Sequence, residues 1–337
     1  MTSPNATCGP ILFIIARMRN LLAVLSCLLA FAAHADTPRL TKFLALGTAS
    51  ESGVYHPVGK AICDTINRDR MTQEIRCLPY TSGGSVYNIH ALLSGELDLG
   101  ITRSDLAYQA YHGQGTFAAT GPVRDLRIIA SLYGMPVTVI ARRTANIQRI
   151  EDIAGKRVNL GNRGSGQRTI VEMLMRALDL TPESFAAATE LTTSEMGKEF
   201  CAGRIDVMVE ALGNPAAFYR HAIEECDGVI VPLSEPVLAR ILSEHPHLGR
   251  LNIPAGIYRG HDHPLSSFGF TAVLVASAKT GNETVRRVRD SLRMHLNRLR
   301  AAHPALEKLD VGAMTREGVT IPLHSGALPF AATGEMQ

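Results

Sequence analysis

The chain has 337 residues, of which 46% are hydrophobic and 19% charged, so it is globular rather than disordered and long enough for two domains. The formal net charge is +3, and no cluster of lysine and arginine stands out, which argues against a nucleic-acid partner. The sequence has no tryptophan and only 5% aromatic residues, which argues against a surface that stacks nucleic-acid bases.

An apolar segment near the N-terminus indicates export. Residues 21–33 are almost wholly apolar, follow two arginines and run into Ala33-His34-Ala35, a small-x-small cleavage site. We therefore expect a signal peptide over residues 1–35 and a mature protein in the periplasm that begins near Asp36. A retained signal anchor and lipidation at Cys27 are the alternatives.

In the rest of the chain, short apolar strands alternate with Gly/Ser/Thr loops and amphipathic helices, as in a parallel α/β sheet that is covered on both faces. The predicted strands are 43–47, 75–80, 97–101, 126–140, 157–161, 203–210 and 268–277. The predicted helices are 54–67, 86–94, 106–111, 168–178 and 283–301, with one more after Pro215.

Two of these segments indicate how the chain divides. The long β-prone segment 126–140 contains Gly134 and Pro136 and is interpreted as a crossing between two sheets. The last helix is expected to return to the first sheet. The predicted domains are therefore a discontinuous first lobe and an inserted second lobe, formed by residues 36–135 with 265–337 and by residues 136–264.

Export also decides how the cysteines are interpreted. Cys63, Cys77, Cys201 and Cys226 remain after the predicted signal peptide, and an even number in an oxidising compartment favours disulfides. Three connectivities are possible, and the local one, Cys63–Cys77 with Cys201–Cys226, is favoured. Four buried free thiols are the alternative. A zinc site is disfavoured because the sequence has no Cys-x-x-Cys motif.

Polar loops follow the predicted strands and precede helices in five places: 48–53, 81–85, 102–105, 162–167 and 211–215. Ligands of parallel α/β sheets bind at the carboxyl ends of strands, and helix N-termini favour anions. A single loop of this kind is more often an ordinary helix cap, so the prediction depends on the five together. They predict a cleft for a small carboxylate.

Several segments also follow one another in the order of a known family. They are Gly47–Gly59 (GTASESGVYHPVG), Thr81–Asn88 (TSGGSVYN), Leu93–Gly100 (LSGELDLG), Gly161–Arg168 (GNRGSGQR) and Ile321–Ala327 (IPLHSGA). Together they resemble the TAXI family, the periplasmic solute receptors of TRAP transporters. The four cysteines also fall where some members carry paired cysteines. Arg103 or Ser104, where many members have Gln, and Arg163, where Pro is common, depart from the pattern.

The resemblance implies an α/β, type II periplasmic-binding-protein fold with mostly parallel sheets and hinged closure of the inter-lobe cleft. Carried over position by position, it implies ligand contacts from Thr48, Ser52, Gly53, Tyr55, Gly84, Ser85, Asn88, Ser104, Asp105, Tyr133, Ser165, Gly166, Gln167 and Arg168. Arg168 is expected to be the main cationic anchor, because a guanidinium holds a carboxylate bidentately. Arg103 and the loop N–H groups are the alternative. Ser104 and Asp105 are expected to face an ammonium or a hydroxyl group.

The predicted function is capture of a small organic anion, such as glutamate, 2-oxoglutarate or a dicarboxylate, for TRAP membrane subunits that are separate or fused. An ABC-type or sensor-linked binding protein is the alternative. An enzyme is disfavoured because the sequence has no Walker loop, no Gly-x-Ser-x-Gly and no His-Glu-x-x-His. No cofactor or metal is expected, and His261-Asp262-His263 is interpreted as a solvated turn. A monomer is expected.

Overall fold

The structure, a computed structural model, describes residues 42–51, 53–68, 75–163, 165–246 and 248–328. The predicted signal peptide lies outside these residues, and so does Ser52. Among the helices of the described ranges, none combines the length and apolar character that crossing a bilayer requires.

The strands alternate with helices along most of the described chain. The strands are β1 (Lys42–Gly47), β2 (Ile75–Tyr80), β3 (Leu99–Arg103), β4 (Leu126–Arg142), β5 (Arg157–Asn159), β6 (Ala187–Thr189), β7 (Val207–Ala211), β8 (Gly228–Val231), β9 (Gly249–Ile253) and β10 (Leu265–Ser277). The α-helices are α1 (Tyr55–Arg68), α2 (Ser85–Ser94), α3 (Ser104–His112), α4 (Gly166–Ala177), α5 (Thr193–Cys201), α6 (Ala217–Glu224), α7 (Glu235–Glu244), α8 (Asn282–Met294) and α9 (Leu296–Ala302). Short 3-10 turns lie in the connections.

The strands form two sheets that share β4. The first sheet has the order β2-β1-β3-β10-β4, with β9 beside β10, and the second has the order β4-β7-β5-β6, with β8 beside β4. β1 pairs in parallel with β2 and β3, and β5 pairs in parallel with β6 and β7. The pairings made by β4 and β10 are antiparallel.

The crossing between the sheets occurs inside β4. This strand pairs with β10 as far as Pro136 and with β7 from Val137 onward. The prediction of a crossing segment is therefore confirmed. The predicted lobe boundaries near these residues stay a prediction.

The amphipathic pattern of α1 illustrates how the helices cover the sheets. Val58, Ile62 and Ile66 recur every four residues, lie on one face of the helix and are fully buried. On the same helix Cys63 forms a disulfide with Cys77 of β2, across a Cα–Cα distance of 4.8 Å. The second predicted disulfide, Cys201–Cys226, is also present and joins the end of α5 to the segment after α6.

The structure corrects three features of the prediction. The last long helix is broken at His295 into α8 and α9, both of which pack against α1. His261 is 7% exposed and therefore does not belong to a solvated turn, whereas its two neighbours are exposed. Elements β6, α5, β8, α7 and β9 were not predicted. Strands β6 and β9 have at most one buried residue each, so they leave little apolar pattern in the sequence.

Candidate ligand-binding cleft

A cavity of about 500 Å³ lies where strand ends of the two sheets meet. The loops after β1 and β2 and the end of β3 line it from the first sheet, and the loops after β5, β6 and β7 line it from the second. Tyr133 and Met135 of the crossing strand complete the wall. This is the position at which ligands bind α/β sheets, and the volume suits a small molecule.

The cavity brings together eight of the residues predicted to contact a ligand: Gly53, Tyr55, Gly84, Ser85, Tyr133, Ser165, Gly166 and Gln167. Five others are absent from the described lining: Thr48, Asn88, Ser104, Asp105 and Arg168. The remaining predicted contact, Ser52, lies outside the described residues.

Helix N-termini face the cavity from both sheets. Helix α2 begins at Ser85 and α4 begins at Gly166, where the hydroxyl of Ser165 caps the helix by accepting a hydrogen bond from the amide of Arg168 at 3.1 Å. Before α2, Gly84 has a φ of +84°, a conformation that glycine adopts more readily than other residues. The partial positive charge of two helix N-termini favours an anion between them.

Asn88 and Thr48 hold the loops rather than line the cavity. The Asn88 amide donates hydrogen bonds of 2.8 Å to the carbonyls of Thr48 and Ile101 and accepts one of 2.7 Å from the hydroxyl of Ser82. The Thr48 hydroxyl donates to the carbonyl of Tyr80 at 2.6 Å. Both polar side chains are fully buried, and their hydrogen bonds fix the loops after β1 and β2 to one another.

Arg168, the predicted anion anchor, is occupied by two carboxylates. Its Nε lies 2.7 Å from Glu172 Oε1, and its Nη1 lies 2.8 Å from Glu190 Oε1. Residues four apart are neighbours on a helix surface, so Glu172 is a natural partner for Arg168. Arg168 lies outside the described lining of the cavity. These contacts do not support Arg168 as the anchor.

Arg103, the alternative cation, lines the cavity instead. Its side chain is 5% exposed, and Asp105 accepts hydrogen bonds from Nε at 2.9 Å and from Nη2 at 2.6 Å. Nη1 donates to the carbonyl of Gly166 across the cleft at 3.1 Å, and the guanidinium lies 3.9 Å from the ring centre of Phe270. Of its five N–H donors, two remain without a partner in the described part of the chain.

The charge of Arg103 is maintained despite its burial. Burial opposes the charged form, but the neighbouring Asp105 carboxylate outweighs that effect and raises the pKa of Arg103. Asp105 therefore holds the cation and does not line the cavity. Ser104 is likewise occupied elsewhere, since its hydroxyl accepts a hydrogen bond from the amide of Thr271 at 3.1 Å. The expectation that these two residues face a ligand group is not supported by their contacts.

Glu210, which was not predicted, is the acidic side chain of the described lining. It lies in β7 and is 8% exposed, and its oxygens accept hydrogen bonds from the Thr193 hydroxyl at 2.9 Å and the Ala211 amide at 3.0 Å. Burial raises the pKa of Glu210, while these two hydrogen bonds and the charge of Arg103 lower it in part. The sequence feature that could have indicated this residue is a glutamate within the otherwise apolar strand VMVEA.

Two tyrosine hydroxyls also lie in the wall. The Tyr55 hydroxyl is 3.2 Å from the Ser85 hydroxyl and donates a longer contact of 3.6 Å to the sulfur of Met135. The Tyr133 hydroxyl is buried and has no hydrogen-bond partner among the described residues. Burial raises the pKa of both phenols, so both stay neutral. An unpaired buried hydroxyl costs about 1–3 kcal/mol, which a ligand can recover.

Two sheets joined by a crossing strand, with a cavity at their strand ends, define the periplasmic-binding-protein fold that was predicted. MatC (Rpa3494) from Rhodopseudomonas palustris, solved with bound malate, is similar with a TM-score of 0.54 and 15% identity over 82% of this chain and 94% of that one. The periplasmic binding protein BugD has a TM-score of 0.52 and 13% identity over 83% and 90%.

The sequence itself assigns the family. Residues 46–330 match the NMT1-like family, and the chain belongs to that family. This match covers both sheets except the first four residues of β1, and it covers the whole described lining of the cavity.

Proposed function

We propose that this protein is an extracytoplasmic solute-binding protein that captures a small carboxylate in the cleft and delivers it to a TRAP-type membrane transporter. The observation that carries the proposal is Arg103, a buried guanidinium in the lining with two N–H donors that have no partner among the described residues. A carboxylate that leaves water needs a charged, geometrically matched donor, and a guanidinium supplies it.

Closure of the cleft follows from the position of this arginine. Arg103 belongs to the first sheet and hydrogen-bonds Gly166 at the start of α4 on the second-sheet side. A carboxylate bound to its remaining donors also lies near the N-termini of α2 and α4. Because one ligand then contacts both sides, the closed state makes the most contacts and is favoured when ligand is present.

Two observations support the transport role and the ligand class. The segments quoted above resemble TAXI receptors in their order along the chain, and MatC, solved with malate, shares the fold. An ABC-type or sensor-linked binding protein remains the second candidate, because the same fold and cleft serve it equally well.

Ligand binding is tested by a thermal-shift screen of amino acids and organic acids on the mature protein. A ligand raises the melting temperature by mass action. Arg103→Ala is expected to weaken binding of any hit by about 2–5 kcal/mol, whereas Arg168→Ala, the matched control, leaves it nearly unchanged. Equal loss in both variants, or none in Arg103→Ala, contradicts the assignment.

The transporter type is tested separately, by uptake into proteoliposomes that contain the candidate membrane subunits. The proposal predicts uptake that requires this protein and an imposed cation gradient. Uptake that instead requires ATP hydrolysis favours the ABC-type alternative and contradicts the TRAP assignment.

A further inference from the structure

We propose that Glu210 selects the ligand by accepting a hydrogen bond from an ammonium group, so that the cleft prefers a zwitterionic amino acid to the matching 2-oxo acid or dicarboxylate. This inference rests on the proposed solute-binding function and specifies its ligand class.

The charged side chains of the described lining differ in how far protein partners compensate their charge. The charged residues of the described lining are Arg103, Arg163 and Glu210. Arg103 is paired with Asp105, and Arg163, which is largely exposed, is paired with Glu190. Glu210 accepts hydrogen bonds only from neutral donors in the described residues, so its charge is the least compensated of the three.

The Glu210 carboxylate has capacity to accept further hydrogen bonds. Each oxygen has two lone-pair directions, and each accepts one hydrogen bond within the protein, from Thr193 or from Ala211. One lone-pair direction on each oxygen therefore has no donor among the described residues. Arg103 and Glu210 come from different sheets and are close enough for the positive charge of the arginine to lower the pKa of the glutamate. A ligand that carries both charges satisfies both residues at once.

An unsatisfied hydroxyl in the described lining independently indicates a polar ligand. The Tyr133 hydroxyl, on a residue that is 6% exposed, has no partner among the described residues and lines the same cavity. Its ring lies against the loop that follows β7, since a Cβ atom at Gly213 would be 2.5 Å from Tyr133 Cε2. A polar ligand atom that reaches this wall of the cavity would complete the hydrogen bonding of this hydroxyl.

The alternative ligands, a 2-oxo acid and a dicarboxylate, lack a group that could donate a hydrogen bond to Glu210. A 2-oxo acid has no hydrogen-bond donor on the α-carbon, and a second carboxylate placed beside ionised Glu210 is repelled by its like charge. An ammonium is attracted, and a hydrogen bond between charged groups is worth about ten- to a hundredfold in affinity.

The test uses matched pairs of ligands that differ only at the α-carbon, such as glutamate and 2-oxoglutarate, measured by calorimetry on the mature wild-type, Glu210→Gln and Tyr133→Phe proteins. We expect wild type to prefer the amino acid by at least about tenfold. Glu210→Gln should remove most of that preference by weakening the amino acid and not the oxo acid. Tyr133→Phe should weaken binding by a smaller factor.

Different results of these measurements would contradict the role of Glu210 and the proposed solute-binding function. Tighter binding of the oxo acid by wild type, or an unchanged preference in Glu210→Gln, overturns the role of Glu210 while Arg103-dependent binding keeps the proposed function. Absence of binding to every carboxylate tested overturns the proposed function.

A pH series on wild type serves if Glu210→Gln does not fold. Acidification protonates Glu210 and should weaken the amino acid relative to the oxo acid, and the opposite trend overturns the inference. The ionisable neighbours Arg103, Tyr55 and Tyr219 have raised pKa values and keep one protonation state over this range.

Discussion

The two sides of the cleft each carry an arginine at a strand-to-helix corner, and their environments differ. Arg103 ends β3 on the first-sheet side, where its side chain is 5% exposed and held by Asp105. Arg168 lies in the first turn of α4 on the second-sheet side, is 20% exposed and pairs with Glu172 and Glu190. A side chain at the end of an inner strand is enclosed by the opposite side of the cleft, whereas one in a helix reaches the carboxylate four positions along. Two arginines of similar sequence context therefore differ in burial and in the donors they offer a ligand.

The largest expected change in the free energy of unfolding comes from breaking the ion pairs of these two arginines. Asp105→Ala leaves Arg103 buried without its carboxylate and should lower the free energy of unfolding by about 3–5 kcal/mol. Glu172→Ala removes a partly exposed partner of Arg168 and should cost about 0–1 kcal/mol. Urea unfolding of both variants measures the difference. Similar losses in the two variants would show that the sides of the cleft do not differ in burial as described.

Removing each disulfide tests whether the stability of the two sides depends equally on covalent links. Cys63–Cys77 closes a separation of 14 residues beside the first sheet, and Cys201–Cys226 closes one of 25 residues beside the second. By the loop-entropy relation, replacing either pair by alanine should lower the free energy of unfolding by about 3 kcal/mol, slightly more for the longer loop. Non-reducing peptide mapping of the wild type is the control. Urea unfolding of the two double variants measures the loss. An unaltered unfolding midpoint in either variant contradicts a structural role for that disulfide.

The contact across the cleft can be changed from the second-sheet side alone. A Cβ atom at Gly166 would lie 2.9 Å from Nη1 of Arg103, whose guanidinium is held in place by Asp105. Gly166→Ala should therefore displace the arginine and weaken ligand binding by about tenfold, or 1.4 kcal/mol. The helix itself should not lose stability, since alanine is the better helix former. Calorimetry compares the ligand affinity of Gly166→Ala with that of the control Gly249→Ala, where an added Cβ meets nothing within 4 Å. Equal affinities of the two variants would mean that Arg103 does not couple the two sides.

The smallest expected effect is the pH dependence contributed by Glu210. Burial raises the pKa of its carboxyl in the folded protein above the ordinary value, so the folded state holds the proton more tightly than the unfolded state does. The stabilising contribution of that proton is present at acidic pH and is lost as pH rises through the raised pKa. As pH rises from about 4, near the unfolded pKa of glutamate, through the raised pKa, the free energy of unfolding of wild type should fall relative to Glu210→Gln. Urea titrations of both proteins across this range measure it. A constant difference would mean that burial does not perturb Glu210.

The sequence by itself determined the elements whose signal is local. The apolar run 75–80 predicts β2 to the residue, and the long segment 126–140 predicts the crossing strand with an error of two residues at one end. The cysteine pairs were predictable because each lies within one short stretch of chain in an exported protein. The polar loops predicted the position of the cleft, since strand ends in parallel sheets meet at one edge.

Only the tertiary structure decided which polar side chains line the cleft. Arg103 and Arg168 both follow from the same reasoning about loops. Arg103, however, is enclosed by Asp105 and by Gly166 at the start of α4 on the second-sheet side, 63 residues away along the chain. Glu210 lines the cavity because β7 lies beside β4, a pairing between segments about 70 residues apart. Burial and ion pairing depend on such distant neighbours. The residue type and its local spacing set the chemistry that a side chain can perform, and the packing of the two sheets sets which side chains are placed to perform it.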